Sequence, residues 1–365
     1  MRGAMSAETA RPSYLVPSAY GVAHLAVDAA TVYTVFATVA VHRIEPMAAF
    51  ALIMGYDLLA FASQVVWGAL ADKLRAPRGA AIVGVVLAGL GVAALGQSSS
   101  AAMVLAGVGN ALFHIGAGAL SLYTRPGRAA PAGLFVGPGA IGLFLGIWAG
   151  KSGAVAWPFA LGLTVALALM VAVRPPVIPY ADESLDRSAP KRSVGLVIIG
   201  LLLFSVFVRA LVGYAGAHAL PKALEVSFAL TLAAFAGKTF GGLISDRLGW
   251  IETSVVALLV SAPLIAFGGR ELSLIVGGMF LFQMTMPVTL TAVVMVLPRK
   301  PAFAFGTTCV ALIAGAIPTF YPATKAFYSP YAFLALILLS AAVLYVALRM
   351  LLVPRSAKLV LHPEA

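Results

Sequence analysis

Charge is what this sequence has least of. Only 10% of its 365 residues are Asp, Glu, Lys or Arg, against about a quarter in a soluble domain. Cysteine is scarcer still: Cys309 stands alone, which excludes an internal disulfide and a cysteine-rich metal site. Enzyme signatures are missing as well. There is no Walker loop or H-E-x-x-H and no G-x-S-x-G elbow, so no catalysis, no resident cofactor and no direct drive by ATP are expected. What fills the chain instead is apolar: 61% of residues are hydrophobic and the mean hydropathy is +1.01. That much apolar surface cannot be hidden in one chain's own interior, so a lipid bilayer must be the solvent for most of it.

Crossing the hydrocarbon takes roughly 20 apolar residues in a helix. Twelve stretches suit, near 14–41, 47–70, 79–97, 100–123, 131–150, 154–173, 194–217, 224–245, 251–269, 272–297, 302–324 and 330–352. Gly96–Ser100 and Gly150–Gly153 must supply tight turns. The expected class is therefore an all-α polytopic membrane protein of twelve transmembrane helices. One long polar connection, 174–193, carries Pro175, Pro176, Pro179 and Lys191-Arg192. It divides the chain into a six-helix bundle over 14–173 and another over 194–353, with tails 1–13 and 354–365. The first tail lacks the apolar core of a signal peptide, so no processing is expected.

The net charge of +11 looks like a nucleic-acid signature until the basic residues are placed. The even-numbered connections and the tails hold 17 Lys and Arg, the opposite side 5. By the positive-inside rule both termini are cytoplasmic and the protein sits in the cell (inner) membrane. Basic loops over anionic lipid account for the charge, so no nucleic acid is expected as a partner.

The two halves share a pattern. Gly68-Ala69-Leu70-Ala71-Asp72-Lys73 closes the second span, and Gly242-Leu243-Ile244-Ser245-Asp246-Arg247-Leu248-Gly249 closes the eighth. The glycine permits close helix approach, and the carboxylate suits the positive end of a facing helix. This repeat, with the six-plus-six layout, resembles the major facilitator superfamily over essentially the whole chain. The resemblance implies two pseudo-symmetric six-helix bundles rocking around a central cavity, with Gly68, Asp72, Lys73, Gly242, Asp246 and Arg247 at the cytoplasmic gate. The first copy departs from the pattern: Arg75 stands where a glycine is usual, and the next basic residue is delayed to Arg78. Three further stretches, His24 to Asp28, Gly109-Asn110-Ala111-Leu112-Phe113-His114, and Leu297-Pro298 before a Gly306-containing span, look like the fosmidomycin-resistance branch. In the fifth span Gly133-x-x-x-Gly137-Pro138-x-x-Ile141-Gly142 is similar to the motif of drug–proton antiporters, less one glycine. A tightly packed helix kinked at Pro138 explains the same residues.

Polar groups at membrane depth are costly and mark routes for ions or substrate. His24 and Asp28, four apart, share one face of the first helix; Asn110 and His114 repeat the spacing on the fourth. Arg209 lies deep in the seventh, and Gln283 is the main polar group of the tenth. The resemblance puts helices 1, 4, 7 and 10 around the cavity. A carboxylate taken out of water resists ionisation unless a cation stands near, so Asp28 is the candidate proton carrier, with His24 tuning it and Asp57 as a second acidic candidate. Asn110, His114, Arg209 and Gln283 are the candidate substrate residues, and Arg209 would suit an anionic group. His24, Asp28 and His114 are possible metal ligands, but nothing in the sequence brings them together, and no metal is expected. Lys238 reads as snorkelling to the cytoplasmic face; Lys151, Lys222 and Lys325 read as interfacial anchors. The functional expectation is a monomeric, proton-coupled exporter of a small organic compound. The rivals are a symporter or facilitator importing an organic anion or sugar, and a non-transporting assembly or sensor protein.

Overall fold

A computed structural model describes residues 14–185, 189–219, 223–269, 271–321, 324 and 328–361. Outside them lie the first tail with Arg2 and Arg11, the last four residues, and Arg187, Lys222, Arg270 and Lys325. Twelve helices traverse the described chain. The first six are α1 (Leu15–Val41), α2 (Pro46–Asp57, Leu58–Ala62 and Gln64–Leu74), α3 (Pro77–Ala94), α4 (Ser99–Leu122), α5 (Ala130–Ser152) and α6 (Trp157–Ala172). The second six are α7 (Arg192–Ala219), α8 (Leu224–Leu248), α9 (Trp250–Phe267), α10 (Leu272–Gln283 and Thr285–Val296), α11 (Pro301–Ala316, ending in the tight turn Ile317–Phe320) and α12 (Pro330–Leu361). Eleven are long and apolar enough to cross a bilayer; α6 is the shorter twelfth. α12 carries on to Leu361, beyond the expected end of its span.

Local chemistry sets the boundaries. Proline occupies the first turn of α2, α3, α5, α6 and α11, where its missing N–H costs nothing. The Ser98 hydroxyl accepts from Ala101 N at 3.3 Å to cap α4, and Gly153 ends α5 at φ +73°. α2 and α10 are each interrupted in mid-span. Leu58–Ala62 is a turn of π-helix, a widening often found where function needs a side chain re-aimed. α10 breaks at Met284.

Glycine sets how close the helices come. α1 and α5 pack most intimately, with Gly142, Gly146 and Gly150 against the backbone of Leu25, Ala29 and Tyr33. The other face of α5 meets the second bundle: Gly133 lies on the carbonyl of Lys238 and Gly137 on Thr239, both of α8. The pseudo-symmetric seam joins α2 to α11, where Gly306 lies on Gln64; Gln64 and Lys238 are 174 residues apart, the offset of the repeated motif. Both seams lie toward the end that carries Asp72 and Asp246, called here the basic end. At the opposite end ring contacts bridge the bundles instead, Phe50 to Phe320 at 6.1 Å and Phe144 to Phe228 at 5.5 Å between centroids. Closure is backbone on backbone at the basic end and side chain on side chain at the other.

Candidate functional site

α1 and α4 bring four of the expected residues together. Asp28 Oδ2 lies 3.1 Å from His24 Nε2, and Oδ1 lies 3.6 Å from His114 Nε2. Asn110 Nδ2 donates to Asp28 Oδ1 at 3.0 Å and to Thr31 Oγ1 at 3.1 Å. The remaining ring nitrogens settle the tautomers. His24 Nδ1 reaches the carbonyl of Phe135 at 2.9 Å, and His114 Nδ1 that of Asn110 at 2.8 Å. A carbonyl only accepts, so both Nδ1 atoms carry hydrogen and both Nε2 atoms face one carboxylate. The His24 Nε2–carboxylate contact at 3.1 Å then needs a proton between its partners, while His114 Nε2 at 3.6 Å stands beyond hydrogen-bond reach. The histidines are nearly sealed, while 16% of the Asp28 side chain remains accessible.

The shell of this cluster is built from residues whose sequence signal is weak. Thr31 Oγ1 donates to the Val27 carbonyl at 2.9 Å and accepts from Tyr56 of α2 at 3.0 Å, which ties α1, α2 and α4 into one network. Phe113, Phe135 and Phe305 surround the imidazoles; Phe135 stacks on His24 at 4.7 Å, and Phe305 of the second bundle sits 6.3 Å from His114. Gly139 completes the wall: a Cβ there would stand 2.5 Å from His24 Nε2 and 2.8 Å from Asp28 Oδ2.

Across the seam is a cationic site. Arg209 of α7 is 7% exposed, and its Nη1 donates to Thr289 Oγ1 at 3.2 Å and Thr285 Oγ1 at 3.5 Å. Thr285 follows the break in α10, which turns that hydroxyl toward α7. Lys238 does not reach for the lipid headgroups as expected. Its ammonium lies within electrostatic range of Arg209, Asp28 and His114, because the close α5–α8 seam turns this part of α8 inward. Gln283 is set apart, its Cβ packed on Gly237 of α8, and makes no hydrogen bond among the described residues. Asp57, at the head of the π turn, is also outside the cluster and lies within range of Tyr214. Lys151 rests over the ring of Phe36 at 4.9 Å, at the outer end of α5.

His24, Asp28 and His114 present three ligand atoms within 4.8 Å of one another, a donor set that a divalent transition ion accepts. The hydrogen-bond distance of His24 Nε2 from the carboxylate shows that a shared proton satisfies the same geometry.

At the basic end the repeated aspartates cap helices of the opposite bundle. Asp72 accepts from the backbone N–H groups of Ala302 at 3.2 Å and Phe303 at 2.8 Å, where α11 begins. Asp246 accepts from Ala129 at 2.8 Å and Ala130 at 2.9 Å, where α5 begins, and from Trp250 Nε1 at 3.0 Å. Gly68 and Gly242 let the backbones meet beside them. Lys73 and Arg247 are exposed. The departure at Arg75 has a structural counterpart: it caps its helix at φ +53°, and Gly249, 174 residues on, holds φ +100°. Arg78 donates to the Met170 and Val171 carbonyls at 3.0 and 3.1 Å.

One element of these basic-end contacts carried no signal in the sequence. Tyr180, from the connection between bundles, donates its hydroxyl to Asp72 Oδ1 at 3.1 Å, and its carbonyl accepts from Arg299 Nε at 2.9 Å. Burial and then the Asp72 charge push the Tyr180 phenol upward, and the same two causes hold Tyr123 at about 12. Tyr123 donates to the Pro298 carbonyl, a further link between bundles.

No family model matches the sequence, and no curated protein sequence matches it. Solved structures do match in shape. A point variant of the E. coli fucose:proton symporter FucP is 15% identical with a TM-score of 0.68, covering 92% of this chain and 98% of its own. FucP in the outward conformation gives 15% and 0.69 over 93% and 99%. The human organic anion transporter MFSD10 gives 14% and 0.65 over 94% and 100%. The fold is thus the twelve-helix major facilitator fold, and the chain is a multi-pass membrane protein.

Proposed function

We propose that the protein is a secondary transporter that couples a small organic compound to protons by alternating access, with Asp28 holding the proton. The observation that supports it is the His24–Asp28–His114 cluster. A carboxylate near mid-membrane, still partly accessible, with one imidazole nitrogen at hydrogen-bond distance that needs a proton to bind it and a second close by, is suited to store a proton. His24 tunes it, and His114 and Asn110 act on the same carboxylate. Asp57 is the alternative carrier. Asp72 and Asp246 hold the basic end shut until the bundles rock, with Gly68, Gly242, Gly137 and Pro138 on the moving surfaces. In this reading the basic end faces the cytoplasm, as the Lys and Arg distribution favours, the inner membrane is the location, and a single chain suffices. The fosmidomycin-resistance branch is part of the same reading and rests on His24 to Asp28, Gly109 to His114, and Leu297-Pro298. Export in exchange for protons is the direction favoured by the partial motif of α5.

The test is proton flux in proteoliposomes loaded with a pH dye and challenged with a panel of small organic acids, amines and sugars. Compound-triggered proton movement that vanishes in Asp28→Asn supports the reading. Coupling retained in Asp28→Asn and lost in Asp57→Asn moves the proton to Asp57. Compound exchange without protons removes the coupling.

A further inference from the structure

Two cations of the second bundle, Arg209 buried and Lys238 partly buried, form no ion pair among the described residues. Arg209 is 93% enclosed, yet among the described residues it hydrogen-bonds only through Nη1, to two neutral hydroxyls. Lys238 makes no hydrogen bond or ion pair among the described residues, and lies within electrostatic range of both the like charge of Arg209 and the Asp28 carboxylate. Holding two such charges away from water costs several kcal/mol per ion unless an opposite charge joins them. The protein's own acidic groups do not fill that role. Asp28 is occupied on Oδ1 by Asn110 and His114 and on Oδ2 by His24, and Asp57 makes no ion pair with either cation.

We propose that Arg209 and Lys238, with Thr285 and Thr289, form the substrate site, and that its occupant is a small organic anion with a carboxylate or phosphate-like head group. The unengaged edge of the guanidinium offers a planar fork that matches such a head group, and the Lys238 ammonium adds a point charge from the facing helix. This deepens the transport reading above and rests on it. It also divides the labour: the Nδ2 of Asn110 and the Nε2 of His114, both expected on the substrate, are turned to Asp28, so the first bundle holds the proton and the second holds the anion. Gln283, packed on Gly237, is left out of the site.

The test uses purified full-length protein in detergent at constant ionic strength, with melting followed as ligand is added. The probes are benzoate, succinate, phenylphosphonate and inorganic phosphate, with benzamide and benzylamine as neutral and cationic counterparts. Saturable stabilisation by at least one anion, absent with benzamide and benzylamine, is expected. Its affinity should fall about tenfold or more in Arg209→Gln and in Lys238→Gln and recover in part in Arg209→Lys and Lys238→Arg. Asp28→Asn should keep the anion response while losing proton flux, which separates failure of this site from failure of the proton assignment. Each variant is first compared with wild type by ligand-free melting and gel filtration. Three results would overturn the proposal: no response to any of the four anions in folded wild type, equal or tighter binding of benzylamine or benzamide, or an anion response undiminished in both glutamine variants.

Discussion

Neutralising either gate aspartate should open the basic end. In Asp246→Asn the side chain keeps its size but loses its charge, and an amide nitrogen replaces one accepting oxygen. The native carboxylate takes the N–H groups of Ala129 and Ala130 at 2.8 and 2.9 Å. A hydrogen bond to a charged group contributes about 1 kcal/mol more than a neutral one, and a negative charge at a helix N-terminus about 0.3–1 kcal/mol. The loss sums to about 2–3 kcal/mol, a shift of roughly 30- to 150-fold between the two gate states. Starting from about 1% of molecules open at the basic end, the mutant would show about a quarter to three-fifths. Spin labels at Val171 and Leu248, both exposed at the basic end of opposite bundles, would report the change by pulsed electron–electron resonance; Cys309 is buried and does not compete for label. Asp72→Asn should behave alike. A distance distribution unchanged in both variants, in protein that still melts cooperatively, would refute the capping argument.

Arg75→Gly should stabilise the protein, because a non-glycine residue at φ +53° costs about 1 kcal/mol; a melting temperature below that of wild type would count against it. Gly139→Ala should disable proton coupling while leaving the gate intact, since the methyl group would displace His24 and Asp28; substrate-driven proton flux measures the first and the same spin labels the second. Tyr180→Phe should loosen the basic end by one hydrogen bond, about 1 kcal/mol, or roughly fivefold in the open population. Because burial and Asp72 raise the Tyr180 phenol, the bond is present below the ordinary tyrosine range near 10 and weakens only above it. Wild-type gate populations should therefore not respond to Tyr180 titration between roughly pH 6 and 9.

The spans and their number were legible because lipid imposes a length and a polarity that few residues can disguise. The capping aspartates were legible too, since a carboxylate beside a glycine at two equivalent helix ends has few other uses. The orientation of α8 was not. In a membrane helix the side facing lipid and the side facing protein are both apolar, so Lys238 gave no clue to whether it pointed at headgroups or inward. Thr285 and Thr289 were hidden for the opposite reason: Gln283 is the most polar group of α10 and stands out beside them, while the hydroxyls that hold Arg209 lie beyond the break in that helix. Tyr180 lay in a proline-rich connection with no periodicity to read, and Gly139 matters only because two side chains of another helix happen to fill the space a Cβ would need.

The ionic groups at membrane depth are sorted by bundle: Asp28 and Asp57 in the first, Arg209 and Lys238 in the second. They balance, and in the proposed cycle all would ride on helices that rock about the midplane rather than cross it, so the empty carrier would move little charge through the transmembrane field. Voltage then acts mainly on the cargo, at about 2.3 kcal/mol per elementary charge per 100 mV. In the exchange proposed above, a singly charged anion leaving as one proton enters would carry two positive charges inward per cycle and a doubly charged one three, so both would be driven by the membrane potential. Current across a voltage-clamped membrane would therefore count the charges on a substrate that has yet to be named.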